Sequence, residues 1–153
     1  MPTRLSHTVR ADHPVPGGRR LELRFGRAGD AEADQVPAVL LLPDGPPHHP
    51  RPAPGAVLLH GYSSRKEQMA EDVGMGLVRR GIAALAIDLP LHGERAGDVD
   101  FRSVRNPLAL VQSWRRGQAD ARLALGYLGA RPEVDGGRLA LVGYSMGSFL
   151  GVT

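Results

Sequence analysis

The chain has 153 residues, of which 42% are hydrophobic and 23% charged, so it is long enough for one folded domain and too hydrophobic to be disordered. It contains no cysteine, which excludes disulfide and thiolate chemistry and favours a reducing compartment, so we expect a cytoplasmic protein. The net charge is +3, but arginine pairs are spread over separate predicted elements and aromatic residues make up only 5%, which argues against nucleic-acid binding.

The first fifty residues predict short strands joined by turns. Residues 21–25 alternate between apolar and charged side chains, as a half-exposed strand does, and residues 36–42 form a more continuous apolar run. Residues 43–54 are rich in proline and predict an exposed loop. His48 and His49 in this loop have no acidic or histidine cluster near them, so we predict no metal site.

From Gly55 onwards the pattern alternates between strand and helix. Short apolar strands are predicted at residues 56–59, 82–87 and 139–142. Ser64 and Glu67 have the spacing of a capping box and predict the start of a helix that ends at Gly81. The buried face of this helix is predicted to carry Met69, Val73 and Leu77.

A long second helix is predicted to begin at Asn106 and Pro107, since asparagine caps a helix and proline fits its first position. Its predicted buried stripe consists of Leu110, Trp114, Ala121, Leu125 and Leu128. Residues 135–137 predict a turn before the last strand. Strands that are apolar on both faces and separated by helices predict an α/β fold, in which helices cover both faces of a mostly parallel sheet. No apolar run is long enough to cross a bilayer, and residues 1–10 have no apolar segment typical of a signal peptide.

The end of the last strand carries the pattern Gly143-x-Ser145-x-Gly147. Between a strand and a helix, this pattern is typical of a nucleophile elbow, in which a strained turn lifts a serine hydroxyl above the sheet. Glycines two positions before and after the serine relieve crowding against the neighbouring backbone. We therefore predict a positive φ at Ser145 and a nucleophilic role for its hydroxyl.

A second loop leaves an earlier strand at the same edge of the predicted sheet, with the sequence His60-Gly61-Tyr62. Acyl transfer needs two backbone amides about 3 Å from the developing oxyanion. The amides of Tyr62 and Met146 are the candidates, although the loop taken alone is also compatible with an ordinary strand-to-helix turn.

Three segments, "LLHGYSSRKE", "AIDLPLHGER" and "LALVGYSMGS", occur in the order and spacing of the α/β-hydrolase superfamily. Residues 36–153 resemble its esterase branch, near dienelactone hydrolase and the prolyl-oligopeptidase-like hydrolases. The resemblance implies a serine hydrolase that acts on small-molecule carboxylic esters through an acyl-enzyme, with no cofactor or metal. It implies Ser145 as the nucleophile and the Tyr62 and Met146 amides as the oxyanion hole. It also implies a structural loop at residues 88–95, so Asp88 and His92 are not predicted to be catalysts.

The rest of a catalytic triad is missing from the expected place. In this fold the acid and the histidine follow the serine, whereas only eight residues follow Ser145 and none is acidic or a histidine. His60 is a weak candidate for the base, because its position matches the start of the oxyanion loop. We therefore expect residues 1–153 to be the N-terminal portion of a single α/β-hydrolase domain, ending just after the elbow, without its C-terminal strands and helices and without activity alone.

Two alternatives stay open from the sequence. A peptidase or a thioesterase of the same fold would use the same serine and the same two amides. A non-catalytic fragment would instead associate with a partner through the open edge of the sheet at residues 139–142, whose outer side would lack a neighbouring strand. Neither alternative involves nucleic acid or a membrane.

Overall fold

In the computed structural model, which describes residues 4–96 and 105–152, six strands form one sheet. The strands are β1 (Leu5–Val15), β2 (Gly18–Arg27), β3 (Val36–Pro43), β4 (Ala53–Leu59), β5 (Ala83–Ile87) and β6 (Val134–Gly143). The α-helices are α1 (Lys66–Met69), α2 (Met75–Val78), α3 (Pro107–Gly129) and α4 (Met146–Gly151), with a π-helical segment, Ala70–Gly74, joining α1 to α2. Short 3-10 turns lie at Glu32–Asp34 and Gly93–Arg95.

The order of strands across the sheet is β1-β2-β3-β5-β4-β6. The first four strands in this order pair with one another in antiparallel fashion, whereas β4 is parallel to both β5 and β6. The predicted α/β class is therefore confirmed, but the described sheet is mixed rather than mostly parallel. Its antiparallel half starts with β1 and β2, which are joined by only two residues, and so short a connection makes its two strands antiparallel.

Helices cover both faces of the sheet, as predicted. On one face, α3 and α4 pack over a cluster that includes Leu40, Val57 and Leu85. On the other face, the segment from α1 to α2 packs over a cluster that includes Leu41 and Leu58. Every residue of β3 and β5 is buried, which is the burial expected of strands sandwiched between two helical layers.

The capping box predicted at Ser64 and Glu67 is wrong. Helix α1 begins at Lys66, its N-cap residue Arg65 makes no side-chain cap, and the Ser64 hydroxyl donates to the side chain of Gln68 instead. The amide of Lys66 donates to Asp88, on the loop after β5, at 2.9 Å. A carboxylate from another element therefore satisfies the first turn of this helix.

Helix α3 begins as predicted, because the Asn106 side chain accepts from the Leu108 amide and Pro107 occupies the first turn. Its buried stripe is confirmed only towards its C-terminal half, where Ala121 and Leu128 are buried. Trp114 was predicted to be buried but is 37% exposed, because nothing in the described structure covers that part of the helix completely.

Strand β6 starts earlier than predicted and contains residues 135–137, which were expected to form a turn. The pairing of β6 with β4 accommodates the extra residues through a shift in register, since Ala53 pairs with Val134 whereas Gly55 pairs with Leu139. Among the described strands, β6 pairs with β4 alone and therefore forms an edge of the sheet. None of the helices described is both long enough and apolar enough to cross a membrane.

Candidate active site

Ser145 lies in the two-residue turn between β6 and α4, with φ 49° and ψ −116°. The predicted positive φ is confirmed, and a non-glycine residue in such a conformation costs about 1–3 kcal/mol. The turn is held against β4 because the Tyr144 amide donates to the Leu59 carbonyl at 3.0 Å. A strained residue held in this way presents its side chain in one fixed direction.

The two glycines of the pattern are required by close backbone contacts. A Cβ atom on Gly147 would lie 2.7 Å from the carbonyl carbon of Leu59 and 2.8 Å from the oxygen of His60. A Cβ atom on Gly143 would lie 2.5 Å from the backbone of Gly147. Carbon atoms in good contact are about 3.5–4.0 Å apart, so any larger residue at either position displaces backbone.

The loop that follows β4 lies directly on this turn. A Cβ atom on Gly61 would lie 3.0 Å from Cδ1 of Tyr144 and 3.4 Å from the Cβ atom of Ser145, so the two segments are in close contact at this point. Ser145 and Tyr62 line one open cavity of about 570 Å³. The structure thus brings the predicted nucleophile and the predicted oxyanion loop to the same end of the sheet, and Met146 begins the helix on the other side of the serine. The catalytic roles of these residues stay predictions.

His60 is buried and both of its ring nitrogens are engaged. Its Nε2 accepts from the Leu89 amide at 3.0 Å, so Nδ1 carries the proton and donates to the Gly61 carbonyl at 2.8 Å. Burial lowers the pKa of His60, which keeps the ring neutral. With its one lone pair used by Leu89, His60 has no acceptor left for the proton of Ser145, and it serves instead to join the loops after β4 and β5.

Asp88 is fully buried and holds the same two loops together. Its Oδ1 accepts from the Lys66 amide, and its Oδ2 accepts from Lys66 Nζ and from the Glu94 amide, both at 3.0 Å. Lys66 Nζ also contacts Glu67 at 2.6 Å and Glu94 at 2.8 Å. Burial lowers the pKa of Lys66, but the three carboxylates outweigh it and the pKa is raised. These contacts support the prediction that Asp88 is a structural residue of the loop.

The ionic cluster of Lys66 with Glu67, Asp88 and Glu94 was missed from the sequence, although two features pointed to it. Lys66 is the only lysine among 19 basic residues, and Asp88 directly follows a buried strand.

His92 is 6% exposed, and its Nδ1 lies 2.9 Å from the Pro90 carbonyl oxygen. Its ring lies 5.1 Å from that of His60 and 6.0 Å from that of Tyr62. His92 is therefore packed behind the loop that carries Tyr62.

Comparison with known proteins gives a family and several similar folds. A family model described as the alpha/beta hydrolase family matches residues 56–153. No curated protein matches the sequence. A solved structure of a Bacteroides fragilis protein, proposed to be an acetyl xylan esterase, is similar with a TM-score of 0.79 and 17% identity, covering 95% of this chain and 43% of that one.

Two further structures are similar over nearly the whole chain. The acetyl xylan esterase from Paenibacillus sp. R4 gives a TM-score of 0.70 at 23% identity and covers 98% of this chain and 48% of its own. A cold-adapted esterase from an Arctic intertidal metagenomic library gives a TM-score of 0.65 at 28% identity and covers 94% of this chain and 58% of its own. The chain thus spans about half the length of the solved structures that it resembles.

Proposed function

The chain belongs to the α/β-hydrolase family, and on that premise we propose that it carries the nucleophile half of a serine hydrolase that cleaves carboxylic esters through an acyl-enzyme at Ser145. One observation carries the proposal: Ser145 has the strained conformation of a nucleophile elbow and shares a cavity with the loop of Tyr62. A hydroxyl placed in this way is the group that attacks a carbonyl in enzymes of this design.

The reaction begins when Ser145 Oγ forms a bond to the ester carbonyl carbon. The electron pair of the carbonyl moves to its oxygen, and the backbone amides of Tyr62 and Met146 donate hydrogen bonds to the oxyanion. Collapse of the tetrahedral intermediate breaks the bond to the alcohol oxygen, which leaves with a proton and produces acyl-Ser145. Water then attacks the carbonyl carbon of acyl-Ser145 by the same two steps, which releases the carboxylic acid and restores the serine hydroxyl.

The proton of Ser145 needs a base, and we place that base outside residues 1–153. All six histidines precede Ser145 in the sequence, and the ring nitrogens of His60, which is nearest to the oxyanion loop, are both engaged. Solved structures of similar fold are about twice as long as this chain, which supports treating residues 1–153 as the N-terminal portion of one hydrolase domain. The acid and the histidine of the triad then belong to the remainder of that domain.

A test of this proposal is acylation by 4-nitrophenyl acetate, followed by intact mass and peptide mapping. We expect one slow acetylation in the peptide that contains Ser145, absent in Ser145→Ala and retained in Ser64→Ala, which removes a different serine of the same cavity. Acetylation at other sites only would contradict the nucleophile assignment. Turnover at ordinary esterase rates that Ser145→Ala abolishes would contradict the placement of the base.

The open edge of β6 supports a second proposed role, which is association with another polypeptide. Within the described part of the chain, the strand carries a neighbour on one side only, and Val142, Tyr144 and Phe149 near its end are exposed large hydrophobic residues. Unpaired strand edges with apolar side chains pair readily with further strands. We propose that a segment with a parallel strand completes the sheet at this edge.

A further inference from the structure

A second, smaller cavity lies beside the first turn of α4. It has a volume of about 160 Å³, and apolar side chains form most of its wall: Leu89, Pro90, Leu110, Trp114, Met146 and Leu150. Met146 belongs both to this cavity and to the proposed reaction site, because it lines the wall of the cavity and its amide is the proposed oxyanion donor. His92, which also lines the cavity, lies edge-on to the ring of Tyr62, so the second proposed donor loop is close as well.

The two cavities next to the elbow differ in size and in chemistry. The cavity that contains Ser145 is about 570 Å³ and open, and its lining is mixed: Ser64, Gln68 and Asp72 lie beside Met69, Val73 and Tyr144. The cavity beside Met146 is less than a third of that volume, and Ser113 and His92 are the two polar residues that line it beside the apolar ones. The first cavity therefore has room for a large group of either kind, whereas the second favours a small hydrocarbon group.

The carbonyl carbon of an ester in the tetrahedral intermediate bears the oxyanion, the serine oxygen and two further groups. The oxyanion faces the two amides, so the acyl tail and the alcohol must extend to different sides of the elbow. Resting on the proposed function, we propose that the acyl tail enters the cavity beside Met146 and that the alcohol lies in the larger cavity that contains Ser145, so that the substrates are esters of short aliphatic acids. Trp114 is the residue that limits the length of the acyl tail.

The volume of the cavity beside Met146 limits the length of the acyl tail that it can accept. An apolar cavity of about 150 Å³ in another protein accommodates benzene, so a cavity of this size accepts an aliphatic tail of up to about six carbons. Trp114 is the largest side chain in the wall and is 37% exposed, so replacing it lengthens the cavity towards solvent without removing a fully buried group.

The inference is tested with ethyl 4-nitrophenyl butylphosphonate and its dodecyl analogue. In each, Ser145 Oγ attacks phosphorus, 4-nitrophenolate leaves, and the serine proton passes to the buffer. The labelling rate is followed by released 4-nitrophenolate and by the mass of the Ser145 peptide. The variants are Trp114→Ala and, as a matched control, Val111→Ala, an exposed apolar residue of the same helix that does not line the cavity.

For the unaltered chain and for Val111→Ala, the butyl probe should label Ser145 faster than the dodecyl probe by on the order of tenfold, the discrimination that small differences in a hydrophobic pocket provide. Trp114→Ala should remove most of that difference. Trp114 is the only tryptophan, so formation of the butyl adduct should also change the emission of the unaltered chain. Labelling of Ser145 at equal rates by both probes, or discrimination unchanged in Trp114→Ala, would overturn the acyl-site inference alone. Absence of Ser145 labelling by either probe would overturn the proposed function as well.

Discussion

Replacing Gly147 by alanine should disturb Ser145 and the loop of Tyr62, the proposed oxyanion loop, together. The added methyl group would lie 2.7 Å from the Leu59 carbonyl carbon, about 0.8 Å closer than a good carbon–carbon contact. It would also lie 2.8 Å from the His60 oxygen, so the backbone leading to Tyr62 has to move. Misplacement by about 1 Å reduces a positioned reaction by roughly 100-fold, and overpacking costs about 1–3 kcal/mol of unfolding free energy.

The assay for Gly147→Ala is the rate of Ser145 labelling by the butylphosphonate, together with the free energy of unfolding in urea. Gly126→Ala is the matched control, because a Cβ atom on Gly126 in helix α3 meets no atom within 4 Å. That control should leave the labelling rate unchanged and raise the unfolding free energy by about 0.5–1 kcal/mol, as expected inside a helix. If Gly147→Ala labels as fast as the unaltered chain and is equally stable, the close contact between the elbow and the oxyanion loop is refuted.

Three further predictions follow from the buried charges and the sheet edge. Lys66→Met should lower the free energy of unfolding by about 3–5 kcal/mol in urea titrations, since it leaves a buried carboxylate without its partner, and an effect below 1 kcal/mol would contradict the network. The pKa of Glu67 and of Glu94 is raised by burial, but hydrogen bonds from Lys66 outweigh this and lower both below 4.5; burial also lowers the pKa of His60 below 6.5. The free energy of unfolding should therefore fall as the pH drops below 6.5, because unfolded chains protonate this histidine first. It should fall more steeply below pH 4.5, where unfolded chains protonate the two carboxylates. A free energy of unfolding that stays constant from pH 7 to 4 would exclude these shifts. The chain should self-associate in sedimentation experiments, and Val142→Lys at the β6 edge should reduce the association. If the chain is monomeric both with and without the substitution, strand pairing at the β6 edge is contradicted.

Local patterns were sufficient to predict the parts of the fold that depend on periodicity and on backbone mechanics. The positive φ of Ser145 follows from glycine spacing between a strand and a helix, and the start of α3 follows from an asparagine before a proline. Both features are determined by neighbours in the sequence, so a single sequence contains the necessary information.

Features that depend on distant residues were not predictable in this way. The cap of α1 comes from Asp88, which is 22 positions from Lys66, so the local Ser-x-x-Glu pattern indicated the wrong partner. Helical periodicity placed Trp114 on the inward face of α3 but could not show that this face borders a cavity at Trp114. The mixed sheet also depends on strand pairing between distant segments, such as β3 with β5.

The measurement that tests the central claim most directly is a crystal structure of the chain after labelling by the butylphosphonate. The account predicts a phosphorus–oxygen bond to Ser145, with the phosphoryl oxygen about 2.7–3.1 Å from the amide nitrogens of both Tyr62 and Met146. A phosphoryl oxygen that faces solvent, or an adduct on any other residue, would contradict the assignment of this turn and this loop as the catalytic half of a serine hydrolase.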